Sequence, residues 1–282
     1  MYRPQHAPEL LCDAARAADE AGLDELWVWE DCFLSGGISA IAVALASTRR
    51  LTIGVGVLPV PMRNVAATAM EIATLSRAFP GRVRIGVGHG VQDWMAQIGA
   101  KVSSPMTLLR EYLSALRALL DGHRVTVAGT YIHLDEVQLE WPPAPGIELL
   151  CAATGPKTLR LSGELASGTV ITGGTTAQAL RSAVAHIRQG NAAGTPHSVV
   201  AYIQCTVGAD AKTRAAQELQ KWGLDPESDA AVYGSPEEIA AGARRWIDAG
   251  ADTVVFQPAA DVDFADFATV IANQVQPLIG DR

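Results

Sequence analysis

Leu51-Thr52-Ile53-Gly54-Val55-Gly56-Val57-Leu58 is a near-continuous apolar run in which polar and apolar residues do not alternate. A strand with one solvent face would alternate. A run like this one fits a parallel strand covered on both faces by helices. The same signature recurs at 25–29, 83–87, 148–153, 169–172, 199–207 and 253–257, giving seven strands in register with intervening helical stretches. Helix ends are legible between them. A helix over 8–21 stops at Gly22, the residue type favoured just past a helix C-terminus. Another opens at Ser104-Pro105, with Leu109, Tyr112, Leu113, Leu116 and Leu120 at helical spacing. A third opens on a capping box, Ser235 and Glu238 around Pro236, and ends at Gly250. A last helix covers 264–275. The runs 124–127 and 131–134 flank Ala128-Gly129-Thr130 and read as an inserted hairpin.

Strict βα alternation over 282 residues predicts one α/β domain, 1–282, folded as a (β/α)₈ TIM barrel. Its first strand is truncated and has only Met1–Arg3 to draw on. An open doubly wound sheet is the competing arrangement, because the same alternation serves both.

Composition narrows the function. Hydrophobic residues make up 49% of the chain, enough for a large core, and charged residues 18%, too few for a disordered tail. The net charge of −8, with scattered Lys and Arg, gives no basic stripe for nucleic acid. No apolar run approaches the roughly 18 residues of a membrane span. The start of the chain lacks the basic and apolar regions of a secretory signal, so a cytoplasmic location is expected. Cys12, Cys32, Cys151 and Cys205 are far apart and read as reduced thiols, and no metal-ligand motif is present.

In such barrels chemistry sits at the C-terminal ends of the strands. The run 25–29 leads into Glu30-Asp31. Two adjacent carboxylates there suit acid/base work if one pKa is raised, or one of them caps the next helix or pairs with an Arg. Gly54 and Gly56 inside a buried strand mark a bulge, the close approach of a flat ligand, or tight packing. Gly88-His89-Gly90 follows the run 83–87; His89 is a proton or hydrogen-bond donor at the barrel mouth, or a structural histidine. The glycines there lack the full dinucleotide spacing, which argues against a Rossmann site. Thr154-Gly155-Pro156-Lys157 opens a helix whose first N–H groups, with the lysine, suit an anion, and Thr172-Gly173-Gly174-Thr175 opens the next. Together the two loops read as a phosphate cradle.

These residues carry a resemblance. The segments AGLDELWVWED (21–31), RRLTIGVGVLPVPMRN (49–64), GRVRIGVGHGVQDW (81–94) with a following IGA, and AATGPKTLRLSGELASGTVITGG (152–174) stand in the order seen in the bacterial luciferase-like flavin and deazaflavin oxidoreductases. The last segment looks most like the branch that uses coenzyme F420. The resemblance implies a TIM-barrel oxidoreductase that moves a hydride between F420 and a small organic substrate. FMN, as in a luciferase-like monooxygenase, is the alternative cofactor, and a non-catalytic flavin-binding protein is the alternative role. It implies a non-proline cis peptide at Gly56–Val57 backing the ring, with Gly88 and His89 beside it, and a phosphate held by Thr154, Gly155, Pro156, Lys157, Gly173 and Gly174. Glu30, Asp31 and His89 become the catalytic candidates, Arg63 a candidate for the acidic cofactor tail, and a homodimer the expected assembly. Two departures stand out. Many members place Asp-His where this chain has Glu30-Asp31, and an acid used by some members would fall near Val91.

Overall fold

A computed structural model describes residues 1–280. Ten strands form: β1 Glu25–Val28, β2 Thr52–Pro59, β3 Val83–Gly88, β4 Val125–Ala128, β5 His133–Val137, β6 Leu149–Ala152, β7 Gly168–Ile171, β8 Ser198–Val207, β9 Ala231–Gly234 and β10 Thr253–Gln257. Eight of them make one all-parallel sheet, ordered β1-β2-β3-β6-β7-β8-β10 with β9 paired to β8. The helices are α1 Leu11–Ala21, α2 Gly37–Ser47, α3 Val65–Ala78, α4 Gln92–Gln97, α5 Pro105–Leu120, α6 Pro156–Leu165, α7 Ala177–Gly190, α8 Ala211–Lys221, α9 Pro236–Asp248, α10 Phe264–Val270 and α11 Gln276–Ile279. None is long and apolar enough to cross a membrane among the described residues.

The core has an inner and an outer part. Trp27, Leu150, Val170, Val200, Tyr202 and Val255 pack against one another on one face of the strands. Two larger apolar clusters lie between the other face and the helices. Coverage on both faces is what the unalternating strand sequences require.

The sheet has β1 and β10 at its two ends, and the first residues of the chain reach both. The Met1 backbone nitrogen donates to Phe256 O at 2.9 Å, and Tyr2 N donates to Trp27 O at 2.9 Å. The stub at Met1–Arg3 therefore stands where the first strand is expected, but as two bonds rather than a full ladder.

The sequence-level caps are realised. Ser235 and Glu238 form the capping box of α9, Ser104 caps α5, and Gly22 ends α1 at φ 91°. The hairpin exists, with its second strand at His133–Val137, later than the expected 131–134, because Glu111 holds the turn. Its carboxylate accepts the N–H groups of Thr130, Tyr131 and Ile132 at 2.8–3.0 Å and keeps those residues out of the ladder. The first helix begins as a 3-10 turn over Pro8–Leu10. The last is α10, a π-helical turn at Ile271–Val275, and then α11, rather than one helix over 264–275. The strand β9 has no counterpart among the seven expected runs. The ten-residue β8 accommodates it by pairing with β10 through Val200–Gln204 and with β9 through Gln204–Val207.

Candidate active site

Parallel strands bring all their C-terminal ends to one rim, and a cavity of about 520 Å³ opens there. That is ample for a small organic ligand or ring system. Its walls come from the ends of β1, β2, β3, β6, β7 and β10, from Tyr202 on β8, and from Trp222, which follows α8.

The floor of the cavity is made by β2. The Gly56–Val57 peptide is cis, and the β2–β3 register shifts between Val55 and Leu58. Each glycine nearby makes room for a specific neighbour. A Cβ on Gly56 would stand 1.9 Å from Tyr202 Oη, which donates a long hydrogen bond (3.4 Å) to Gly56 O. Cβ atoms on Gly86 and Gly88 would stand 2.7 and 2.9 Å from the Val57 methyls. Gly54 is different: its absent side chain leaves space for the Trp27 indole, so it serves packing. Gly88 lies under Val57 and is not itself among the cavity-lining residues.

At the end of β1 the two carboxylates have separate fates. Glu30 is buried, and its Oε2 accepts from Gly37 N at the start of α2 (2.5 Å) and from the Arg63 guanidinium. It both caps the next helix and pairs with an arginine. Its Oε1 is buried in the cavity wall without a hydrogen-bond partner. Arg63 is thereby committed to Glu30, with Glu71 at 4.0 Å, rather than projecting toward a cofactor tail. Asp31 also lines the cavity and accepts from Trp29 Nε1 at 2.8 Å. Burial raises its carboxyl above the usual range, against the opposing effects of that bond and of Arg3. Arg3 is itself buried, in an ion pair with Glu218 at 2.5 Å, and it also donates to Pro258 O at 3.1 Å. Its guanidinium lies 5.6 Å from the Trp222 ring centre.

His89 faces the cavity, with Nε2 3.3 Å from Thr158 Oγ1. Burial lowers its pKa, with Pro105 acting in the other direction, so the imidazole is neutral at pH 7. Thr154 and Thr158 line the cavity, and Gly155, Pro156 and Lys157 form the turn between them. No side chain caps the N-terminus of α6, and open space stands where a Gly155 Cβ would be. Lys157 is exposed. Gly173 lines the cavity, whereas Gly174, at φ 85°, is packed against Leu224.

The structure thus gathers Glu30, Asp31, Gly56, Val57, His89, Thr154 and Gly173 at one cavity, with Gly155, Pro156, Lys157 and Gly174 on its flanking loops. Sequence reading missed Trp29, Thr158, Tyr202, Trp222 and Gln257. Gln257 left a usable trace: one polar residue closes the apolar run Val254-Val255-Phe256. It is buried, lines the cavity, and its Nε2 has no partner.

Comparisons with known proteins bear on the family and the fold. The 5,10-methylenetetrahydromethanopterin reductase of Methanolobus tindarius is 30% identical over 157 residues, 56% of this chain and 48% of that protein. The F420-dependent glucose-6-phosphate dehydrogenase of Beutenbergia cavernae is 32% identical over 185 residues, 60% of this chain and 54% of that protein. The chain therefore matches about half the length of these curated relatives. In fold it superposes on an F420-dependent secondary alcohol dehydrogenase, solved in complex with an F420-acetone adduct, with a TM-score of 0.85 at 22% identity over 99% of this chain and 98% of that one. The FMN-bound oxygenating constituent of 3,6-diketocamphane monooxygenase from Pseudomonas putida gives 0.76 at 17% identity, over 96% and 92%. A sequence model of the luciferase-like monooxygenase family matches residues 2–225, most of the chain, and the protein belongs to that family.

Proposed function

We propose that the protein is an F420-dependent oxidoreductase that transfers a hydride between the deazaflavin and a small organic substrate. The observation that carries this reading is the cavity at the strand ends. It has a largely apolar floor at Gly56–Val57, and the uncapped N-terminus of α6 opens beside it. A flat ring fits against Val57 and Ala152. The buried, unpartnered Gln257 Nε2 and Glu30 Oε1 offer one donor and one acceptor to a ligand. The open space at Gly155, the first-turn N–H groups of α6 and the Lys157 ammonium fit a phosphate. When bound, F420 supplies a ring carbon that gives or takes the hydride.

The chain's own residues orient and move protons. Asp31, with its carboxyl raised by burial, and the neutral imidazole of His89 are the groups that exchange a proton with a substrate oxygen. Glu30, held by Arg63 and Gly37, fixes the end of β1 and offers Oε1 as an acceptor. By family analogy the protein works as a cytoplasmic homodimer.

Titration with F420 and with FMN, read by fluorescence, tests the reading. F420 binds to the wild type and about tenfold more weakly to Lys157→Ala. Binding of FMN alone would replace the proposal with the monooxygenase, and binding of neither would end both. Binding of F420 without turnover across alcohols and ketones would leave a non-catalytic carrier.

A further inference from the structure

The outer rim of the cavity differs chemically from its floor. Among the described residues no lysine or arginine lines the cavity; its only carboxylates are Glu30 and Asp31. The nearby guanidinium groups are already spent, Arg63 on Glu30 and Arg3 on Glu218. The loops that leave the cavity wall at Asp31, Pro59 and Gly90 carry exposed apolar side chains instead; Val91 lines the cavity itself, and Phe33, Leu34 and Met62 follow within three residues of the lining. Phe33 is 64% exposed, Leu34 53% and Val91 47%. Met62 is also exposed, and its Sδ lies 3.4 Å from Cys32 Sγ, so the first two loops meet. Trp94 continues the apolar wall inward from Val91. Large exposed apolar side chains gathered at the mouth of a cleft mark a ligand surface. An anion placed on the Asp31 side would meet no lysine or arginine among the lining residues, because Lys157 stands on the α6 side, where the proposed cofactor phosphate is held.

We infer that the substrate is an uncharged, mainly hydrocarbon molecule with one small polar group. The polar group faces Asp31 and His89, and the hydrocarbon lies against Phe33, Leu34, Met62 and Val91. This deepens the proposed function and rests on its placing the cofactor ring against Val57, with the substrate outside it. Phosphorylated or carboxylated substrates are disfavoured, because no lysine or arginine among the described lining residues is there to receive them.

Calorimetric titration of the full chain with 2-octanone, octanoate and glucose 6-phosphate, with and without saturating F420, tests the inference. The ketone and the carboxylate share a hydrocarbon length and differ in charge. The expected result is that 2-octanone binds at least about tenfold more tightly than octanoate, and glucose 6-phosphate not measurably. The Phe33→Ser/Leu34→Ser variant, altered at two exposed positions and checked for folding by circular dichroism, weakens 2-octanone about tenfold. Val91→Ser provides an independent weakening. Octanoate or glucose 6-phosphate binding as tightly as the ketone overturns the inference. So does no ketone binding up to its solubility, or an affinity untouched by the rim variants. The F420 titration reads the cofactor separately: no F420 binding would sink the deazaflavin reading and the placing of substrate outside the ring, whereas F420 binding without the ketone preference would sink this inference alone.

Discussion

The two ends of the strand array are built from similar residues and treat them in opposite ways. At the N-terminal ends, Arg84 donates to Glu25 at 2.9 Å and Glu148 at 2.6 Å, and also to Thr253 and Ser198. Its guanidinium lies 5.2 Å from the Trp27 ring centre. A depression of about 270 Å³ opens at this end too, but its carboxylates are already taken. Asp24 accepts from Gln276, Asp252 from Val199 N, and Glu25 from Arg84 and Trp27. At the C-terminal ends, Glu30 Oε1 and Gln257 Nε2 are buried with no partner, and glycines crowd one strand. Buried polar groups that satisfy one another hold a fold together. Those left unsatisfied cost stability and make sense where a ligand supplies the missing bond.

The largest expected effect breaks the first half of this contrast. Arg84→Ala leaves two half-buried carboxylates facing each other and should cost roughly 3–5 kcal/mol in urea denaturation. A loss below about 1 kcal/mol would mean the polar cluster is ornamental. Next is Gly56→Ala, whose new methyl collides with Tyr202 Oη. It should cost about 1–3 kcal/mol by overpacking, and Tyr202→Phe in the same chain should recover part of it. No recovery would place the collision elsewhere.

A third effect is pH-dependent and belongs to the stabilising end. The Asp19 carboxylate accepts the N–H groups of Arg49, Arg50 and Leu51 at 2.8–3.2 Å, just before β2. Burial alone would raise its pKa; the three donors and the Arg50 charge outweigh that and hold it below the usual value. A folded pKa below the unfolded one, about 3.9, adds stability fully present above that pH and lost as pH falls through the folded value. Asp19→Ala should therefore cost about 1–2 kcal/mol at pH 7, and its denaturation curve should converge on the wild type in strong acid. A cost independent of pH would contradict the assignment. The smallest effect comes from the mouth. Gln257→Leu removes a donor that bonds to nothing, so stability should change by less than about 0.5 kcal/mol while F420 affinity falls. A large destabilisation would show that the mouth is structural like the N-terminal ends of the strands.

The alternation of strands and helices could be read from the chain because strands covered on both faces cannot alternate, and because Ser104, Ser235 and Gly22 punctuate the helices. β9 escaped because four residues, Ala231–Gly234, run directly into the Ser235 cap and carry no periodicity. The site was half legible. Glu30, Asp31, His89 and the Thr154–Lys157 turn lie just past strand ends, where position alone flags them. Tyr202 sits mid-strand and Trp222 just after a helix; each reaches the cavity only through tertiary packing, and no local pattern distinguishes it from core. The paired glycines of β2 were legible as a feature but not as two functions. Only the packed structure separates Gly54, which accommodates Trp27, from Gly56, which accommodates Tyr202.

Hydrogen–deuterium exchange with saturating F420 tests the contrast between the two ends most directly. Protection should appear in segments 30–34, 56–63, 88–94, 154–158 and 172–176 and leave 23–25, 80–84, 147–149 and 252–254 unchanged. Protection confined to the second set, or to neither, would contradict the assignment of the C-terminal mouth as the cofactor site.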